Sequence, residues 1–351
     1  MRRREVRRPT IDDVARKAGV GKATVSAVLN GRSRHARISA DTARRVMEAA
    51  RELEYRPNQL ARMLVRRKAD ILAVVFQRGY FFLSWSSFTA EVMRGVSSAA
   101  VELGYDLMLH TRDVTDRGEA DVLTDGRIDG ALLLRDAGDP LVPELLERGF
   151  PFVRFFSKGE LPDEPFVDAD NVGGGRLATA HLLDLGHRRI AFIRGSDGST
   201  ASNDRLAGYL CELESRGVEP DPRLVFPILS PQDVPERLPD LMRRPDRPTA
   251  LFVWSDDVAL ACIPVLLDMG LRVPADVSIV GFDSLEVCNR SVPPLTSVRQ
   301  PVFDMAREAT RLLGRLIDGE EPAERRILFP LQLDVRGSTA PCPARTNPSL
   351  S

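Results

Sequence analysis

Three groups of residues in this 351-residue sequence have types and spacings that could support chemistry. The first, Gly173-Gly174-Gly175, could form a phosphate-binding loop, but it lacks both GxGxxG and GxxxxGKS/T spacing, which favours the tight start of a helix. The other two, Ser255-Asp256-Asp257 and Gly281-Phe282-Asp283, follow apolar runs, and paired carboxylates at strand ends can act as acid and base. Because no nucleophile–base pair or metal-ligand cluster accompanies them in the sequence, they favour hydrogen bonding to a polyol-like ligand.

His187 and the four cysteines have simpler structural explanations. His187 follows Gly186 at the predicted end of a helix, where a histidine can cap the carboxyl end, so we do not interpret it as a catalytic base. No cysteine belongs to a CxxC pair, and only four histidines occur, which argues against a zinc ribbon, a disulfide framework and a multi-histidine metal site. The sequence therefore predicts neither a metal nor another cofactor, and it does not predict an enzyme.

These residues lie in a long segment, about residues 70–340, in which predicted strands and helices alternate. Ile71–Phe76 and Ser278–Phe282 are examples of apolar, strand-sized runs, and 90–103 and 176–185 are examples of helical patterns. Alternation of this kind is typical of parallel sheets covered by helices on both faces. Because the series occurs twice, we predict two doubly wound lobes that bind a ligand at the carboxyl ends of their strands.

The formal net charge of −1 conceals an uneven distribution of charge along the chain. Residues 1–70 contain 19 Lys and Arg against 8 Asp and Glu, whereas the rest of the chain contains 30 against 42. This pattern favours a polyanion-binding head on a body with a different task, although a solvated basic tail would give the same balance. The longest apolar runs are shorter than the roughly 20 residues of a membrane span, and no apolar stretch follows the basic residues 1–10. We therefore expect neither a membrane segment nor a secretory signal.

Three short helices are predicted in the basic head. Thr10 and Asp13 have the spacing of a capping box before the first helix, and Gly19 ends it. The second helix covers about residues 22–29 and the third about residues 39–53. Two such helices joined by a short, glycine-containing turn are typical of a helix-turn-helix, in which the second helix enters the major groove of DNA. A generic three-helix bundle is the alternative, but it does not explain the small and basic residues at the start of the second helix.

The segment after the head combines helical propensity with a composition suited to a hinge. Asn58 can cap a helix that runs to about residue 68, which is too short to be stable alone in water. It carries Leu and Met beside Arg, and minor-groove binders insert such apolar side chains between base steps. A linker helix packed on the body is an equally simple interpretation of this composition.

Nine motifs occur in a fixed order along the chain. They are Thr10–Ala15, Ala18-Gly19-Val20, Thr24-Val25-Ser26, Leu29-Asn30-Gly31, Tyr55-Arg56-Pro57-Asn58, Leu185–Ile193, Arg205–Tyr209, Val280–Asp283 and Val298–Val302. Together they resemble the lac repressor (LacI) family of bacterial transcriptional regulators over about residues 9–340. The resemblance implies an N-terminal all-α helix-turn-helix head and an α/β body whose two doubly wound parallel-sheet lobes are like those of a periplasmic binding protein. It also implies a cytoplasmic homodimer that represses transcription from a palindromic operator in double-stranded DNA and responds allosterically to a small-molecule effector.

The resemblance gives a set of expected domain boundaries. They are a helix-turn-helix head at 9–57, a hinge helix at 58–69, a first lobe at 70–169 with 298–329, a second lobe at 170–297 with 330–340, and a flexible tail at 341–351. Because the tail is rich in proline and has no heptad repeat, we do not expect it to form tetramers.

The family's DNA-contact positions carry over to the head and hinge. They match Thr10, Lys22, Ala23, Thr24, Ser26, Ala27, Asn30, Arg34, Tyr55, Asn58, Ala61 and Leu64. The resemblance implies that Lys22 and Ala23 face bases, that other members of the set contact phosphates, and that Leu64 wedges into the minor groove. Ala27 departs from the family pattern, since many members have Arg or His there, and we expect weak base recognition at this position.

The family's effector-binding positions match residues in both lobes. They are Phe88, Phe156, Arg205, Ser255 and Asp283. Phe156 stands where many sugar-responsive members have an Asp, and Ser255 replaces a common Asn, so the pocket offers fewer hydroxyl partners and more aromatic surface. This departure argues against a simple monosaccharide as effector. It keeps open a regulator controlled by a protein partner. A separate alternative is an enzyme or solute-binding core with an attached DNA-binding head.

Overall fold

The computed structural model describes residues 9–29, 37–55, 68–76, 87–111, 118–136 and 138–343. The chain divides into two compact units, Met1–Ala69 and Asp70–Ser351. Within the described residues, none of the helices is both long enough and apolar enough to cross a membrane.

The head consists of three helices around a small core. They are α1 (Ile11–Ala18), α2 (Lys22–Leu29) and α3 (Ala40–Glu52). The predicted capping box is present, because Thr10 Oγ1 accepts from the backbone N–H of Asp13 while the Asp13 carboxylate accepts from the backbone N–H of Thr10. Gly19 ends α1 in the left-handed conformation at φ 66°, which favours glycine. Val14, Val25 and Val46, one from each helix, are fully buried in the centre.

Two six-stranded sheets form the body, and the series of alternating strands and helices is confirmed. The first contains β1 (Ile71–Phe76), β2 (Asp106–His110), β3 (Gly130–Leu134), β4 (Phe152–Phe155), β5 (Phe166–Ala169) and β11 (Arg326–Phe329), in the order β11-β5-β4-β3-β1-β2. The second contains β6 (Ile190–Arg194), β7 (Val225–Pro227), β8 (Ala250–Val253), β9 (Ser278–Asp283), β10 (Thr296–Arg299) and β12 (Gln332–Asp334), in the order β12-β10-β9-β8-β6-β7. All strand pairs are parallel except β10 with β12.

Helices cover both faces of each sheet. They are α4 (Ser87–Leu103), α5 (Glu119–Leu123), α6 (Leu141–Glu147), α7 (Asn171–Asp184), α8 (Thr200–Ser215), α9 (Val234–Met242), α10 (Asp256–Asp268), α11 (Val287–Arg290) and α12 (Val302–Ile317). Successive residues of β1 serve opposite cores, since Leu72 and Val74 belong to one apolar cluster and Ala73 and Val75 to the other. Strands buried on both faces explain the continuous apolar runs in the sequence.

The chain passes between the lobes three times within the described residues. The passages lie between β5 and α7, between β10 and α12, and between β11 and β12. The expected boundary between residues 297 and 298 falls inside β10, which pairs over its whole length with β9 of the second sheet. The second passage therefore follows Arg299, because the parallel pairing with β9 keeps this strand in the second lobe.

Candidate functional site

The start of α2 is the first candidate surface. Lys22 and Ala23 are exposed there, and the first turn of the helix contains no acidic residue. The positive end of the helix dipole and the Lys22 ammonium group are thus available to a polyanion. Lys22 Nζ lies 2.7 Å from Asp12 Oδ1, but both side chains are about half exposed, and such pairs contribute little to stability and exchange partners readily.

The other described DNA-contact candidates are less exposed. Thr24, Ser26 and Ala27 are half-buried on α2, and Thr10 is engaged in the capping box of α1. Tyr55 packs against the head core, and burial raises the pKa of its phenol. Five further candidates lie outside the described residues: Asn30, Arg34, Asn58, Ala61 and Leu64.

Arg205 lies at the centre of the second candidate site. It is on α8 and only 5% exposed, and its guanidinium carbon lies 3.5 Å from the centroid of the Phe282 ring. Its Nε donates to Asn171 Oδ1 at 2.9 Å, and its Nη1 donates to the backbone oxygen of Trp254. A buried guanidinium held by a ring face and fixed acceptors is oriented before any ligand arrives.

Asp283 brings a carboxylate to the same region at the end of β9. Its backbone has φ 110°, a conformation that L residues rarely adopt and that functional sites often retain. Its Oδ1 accepts from Gln300 Nε2 at 3.1 Å. Burial raises the pKa of Asp283 well above its usual value, and the charge of Arg205 opposes this shift. The sequence-predicted pair of Arg205 and Asp283 is thus electrostatically coupled.

Ser255 and Asp256 support the site from the start of α10. Ser255 Oγ accepts from the backbone N–H of Val258 at 3.4 Å, so it caps the helix. Asp256 is fully buried, and its carboxylate accepts from the Leu285 backbone N–H and from the Cys288 thiol, each at 3.0 Å. Burial raises the pKa of Asp256 to about 6. Because these donors lie on the turn after β9 and on the short helix α11 that follows it, Asp256 shapes the segment after Asp283.

The two aromatic candidates for the pocket, Phe88 and Phe156, lie in the first lobe and contact each other. Phe156 follows β4 in the left-handed region at φ 55°, and its ring meets the Phe88 ring edge to face with centroids 4.9 Å apart. The next residue, Ser157, contacts the second lobe, since its Oγ lies 2.8 Å from Thr200 Oγ1 at the start of α8. The helix that carries Arg205 is therefore in direct contact with the segment that carries Phe156.

The glycine run serves packing, as the tight-start interpretation predicts. Asp170 caps α7 by accepting from the backbone N–H of Gly173 at 2.9 Å. A Cβ on Gly175 would lie 2.3 Å from the Arg205 backbone oxygen, and one on Gly208 would lie 2.1 Å from the Val172 oxygen. These close approaches hold α7 and α8 together and fix the position of Arg205.

Comparisons with known proteins identify the two units. The protein-family model described as "Bacterial regulatory proteins, lacI family" matches residues 10–58. A second family model, of a periplasmic binding protein-like domain, matches residues 179–339. The HTH-type transcriptional regulator CelR of Thermobifida fusca is 38% identical over 345 residues, which cover 95% of this chain and 98% of the relative. The chain belongs to the lacI family of bacterial regulatory proteins. DegA of Bacillus subtilis (strain 168), also an HTH-type transcriptional regulator, is 33% identical with the same coverage.

Solved structures of lacI-family regulators agree over the whole fold. A CelR–cellobiose complex is 37% identical with a TM-score of 0.70, covering 94% of this chain and 100% of that chain. The lac repressor dimer bound to operator and the anti-inducer ONPF is 26% identical with a TM-score of 0.79, covering 95% and 99%. These findings confirm the helix-turn-helix head and the two parallel-sheet lobes like a periplasmic binding protein. The chain is a DNA-binding transcription regulator that responds to an effector, and its family role is regulatory and not enzymatic.

The sequence interpretation missed three residues that contact Arg205 or Asp283. Asn171 and Trp254 supply acceptors to Arg205, and Gln300 donates to Asp283. Asn171 lies two residues before the glycine run, Trp254 directly precedes Ser255-Asp256-Asp257, and Gln300 lies within the motif Val298–Val302. Their closeness along the sequence to these groups was therefore the signal that could have identified the three residues.

His187 is structural, but its side chain does not cap the preceding helix. Its Nδ1 lies 2.9 Å from Thr249 Oγ1, and its Nε2 lies 3.1 Å from both Ser278 Oγ and the Ala340 oxygen. Burial lowers the pKa of His187, which favours the neutral ring. The residue links β9 to the end of the body. Within the described residues, no group of three or more His, Cys, Asp and Glu could hold a metal ion.

Proposed function

We propose that this regulator is a cytoplasmic repressor that binds a palindromic operator as a dimer and takes a neutral carbohydrate as effector. The observation that carries the effector class is the pairing of a buried guanidinium, which lies on the Phe282 ring, with a buried carboxylate. Arg205 can donate to a ligand hydroxyl and Asp283 can accept from one, while Phe88 and Phe156 offer apolar ring surface. Sugars present both hydroxyl groups and apolar C–H faces, so this combination suits them.

The charge around Arg205 argues against an anionic effector. Asp168, Asp204 and Asp283 all interact with the guanidinium through their charges. A phosphorylated or carboxylated ligand would compete with these carboxyl groups for the Arg205 guanidinium, and each carboxyl that is ionised would repel it. A neutral polyol avoids this cost and can use both the cation and the carboxylates.

A disaccharide is the first candidate within this class. CelR, whose solved structure is a cellobiose complex, is 37% identical over nearly the whole chain. Two sequence departures also fit a different sugar from that of many family members. Phe156 is an aromatic residue where many sugar-responsive members have an Asp, and Ser255 is smaller than the common Asn. We therefore define a test panel of cellobiose, maltose, lactose, glucose and glucose 6-phosphate.

The DNA-binding role of individual residues is also a proposal. Lys22 and Ala23 face bases from the start of α2, as their exposure allows, and Leu64 supplies a minor-groove wedge. One helix-turn-helix reads one half-site, so two chains would read a palindrome. The lac repressor neighbour is a dimer on its operator, which supports the same assembly for this chain. A changed angle between the lobes upon effector binding would alter the spacing of the two hinges and thereby the operator affinity.

Isothermal titration calorimetry with the panel tests the effector class. We expect a disaccharide to bind at least ten times more tightly than glucose 6-phosphate. Preferential binding of glucose 6-phosphate would contradict the neutral-carbohydrate proposal. Selection of the full-length protein on random duplex DNA tests the operator, and enrichment of a palindrome with a central pyrimidine–purine step is expected because such steps are easily unstacked.

A further inference from the structure

Asn171 occupies the passage from the first lobe to the second. It is the first residue of α7, it directly follows the crossover from β5, and it is only 1% exposed. Its Nδ2 donates to Asp168 Oδ1 at 3.2 Å and to the backbone oxygen of Ala169 at 3.2 Å. Its Oδ1 accepts from Arg205 Nε at 2.9 Å. One side chain thus links the end of a first-lobe strand to the pocket arginine of the second lobe.

A side-chain amide satisfies both ends of this link at once. Asp168 needs a donor, and Arg205 Nε needs an acceptor, and an amide carries both in one planar group. An aspartate at position 171 would lose the donor and place a second carboxylate against Asp168. A leucine would remove both bonds and leave buried polar atoms without these partners, which is costly.

The contact also constrains the direction of the guanidinium. The Phe282 ring supports the face of the Arg205 guanidinium, and the Trp254 oxygen accepts from Nη1. The bond from Nε to Asn171 fixes a second edge of the same plane. Because a guanidinium donates within its plane, holding two edges aims the group toward its ligand.

We propose that Asn171 is a positioning residue of the effector pocket, whose side-chain amide aims Arg205 and ties it to Asp168 at the crossover between the lobes. This proposal rests on the effector-binding role of Arg205 proposed above. Asn171 acts through Arg205 and does not itself need to touch the effector. The effect of replacing Asn171 therefore depends on the presence of Arg205.

A double-mutant cycle on the full-length protein tests this dependence. By calorimetry, Asn171→Leu lowers the affinity for the tightest-binding sugar of the panel at least tenfold, and it causes no further loss in an Arg205→Ala background. Asn203→Ala serves as the control, because Asn203 is an exposed amide on α8 whose partners are Arg194 and the Asp197 oxygen. Wild-type affinity in Asn171→Leu would overturn the proposal.

A swapped pair provides a second test if Asn171→Leu folds poorly. The double variant Asp168→Asn with Asn171→Asp exchanges the amide and the carboxylate, so it restores one donor and one acceptor between the two positions. It also keeps an oxygen for Arg205 Nε. We expect this variant to bind the sugar within threefold of the wild type, while Asn171→Asp alone binds at least tenfold more weakly. A folded swap variant as weak as Asn171→Asp would overturn the proposal.

Thermal unfolding without any sugar separates this proposal from the carbohydrate proposal. If no panel sugar binds the wild type, the carbohydrate class is wrong, but the link between Asn171 and Arg205 is still measurable. We expect the losses in Tm from Asn171→Leu and Arg205→Ala to be less than additive in the double variant, because each single change leaves the other partner buried without its bond. Additive losses would overturn the positioning role.

Discussion

The head and the proposed effector pocket around Arg205 use charged side chains in opposite ways. In the head, Lys22 and Asp12 form an ion pair whose two side chains are about half exposed to solvent. In the pocket, Arg205 and Asp283 are at most 6% exposed, and fixed hydrogen-bond partners hold both. The first arrangement contributes little to stability, whereas the second must be assembled completely because an unpaired buried charge is costly.

This difference follows from what each region has to recognise. DNA offers a repeated line of phosphates, so exposed cations that exchange partners can bind it and slide along it. A small effector offers a few polar groups, so its site must hold donors and acceptors in place beforehand. Single substitutions should therefore have larger effects on ligand affinity in the pocket than on DNA affinity in the head.

Arg205→Ala should give the largest effect. The variant loses the buried cation and its hydrogen bonds, and we expect the affinity for the best panel sugar to fall at least 100-fold in calorimetry. Operator affinity without sugar should stay within about threefold, since Arg205 lies in the body. Arg216→Ala is the matched control, because this exposed arginine near the end of α8 pairs with Asp184 at the surface. An unchanged sugar affinity in Arg205→Ala would remove this residue from the pocket.

Asp168→Asn tests the cost of a buried carboxylate near Arg205. Burial raises the pKa of Asp168 to about 7, so the folded state binds its proton more tightly than the unfolded state does. Between about pH 4 and pH 7 the folded state thus carries more protons, and the stability of the wild type falls as the pH rises through this range.

The asparagine variant lacks this titration but keeps an oxygen for the backbone N–H of Ala169. Its stability relative to the wild type should therefore rise by about 2 kcal/mol between pH 5 and pH 8. Urea unfolding at the two pH values measures the difference. A stability difference that does not vary with pH would show that Asp168 titrates at its ordinary value in the folded protein.

Lys22→Ala distinguishes base contact from phosphate contact in the head. If Lys22 faces a base, affinity for the selected operator should fall about tenfold, with little change in the slope of log affinity against log salt. If it neutralises a phosphate, the slope should become shallower by about 0.9. Fluorescence anisotropy at several salt concentrations separates the two results, and Lys17→Ala, in the last turn of α1, serves as control.

Glu52→Gln should give the smallest effect. Glu52 pairs with Lys17 on the head surface, and the adjacent ammonium lowers the pKa of its carboxyl. Because this pair is exposed and screened by salt, we expect no measurable change in the urea midpoint at 0.15 M salt. A clear loss of stability would contradict the view that exposed ion pairs of the head contribute little to stability.

The sequence predicted the helices and strands of the body and marked Arg205 and Asp283 as pocket candidates, but it did not predict the contacts that orient these two side chains. Arg205 and Asp283 belong to two sequence motifs, Arg205–Tyr209 and Val280–Asp283, that can be recognised in the sequence without the structure. Asn171 became important only through tertiary contact, since its partner Arg205 is 34 residues away. The start of α7 was placed too late, at residue 176, because three glycines disfavour a helix in isolation. Packing against α8 requires them there, and tertiary structure overrode propensity.

Two backbone features were also invisible in the sequence. Phe156 and Asp283 have positive φ, although neither is a residue type that favours it as glycine does. Their conformations depend on neighbouring lobes and turns that local patterns do not encode. The antiparallel pairing of β12 with β10 likewise depends on the last passage of the chain between the lobes.

The most direct test asks whether a sugar bound at Arg205 changes the affinity of the head for its operator. Fluorescence anisotropy measures this affinity for the full-length protein with and without the panel sugars. The operator is the palindrome selected from random duplex DNA, and wild type and Arg205→Ala are compared at 0.15 M salt. We predict that at least one neutral sugar changes the wild-type operator affinity fivefold or more, a coupling typical of allosteric regulators, and that Arg205→Ala shows no change. A wild type unaffected by every sugar, or an Arg205→Ala variant that responds as the wild type does, would contradict the account.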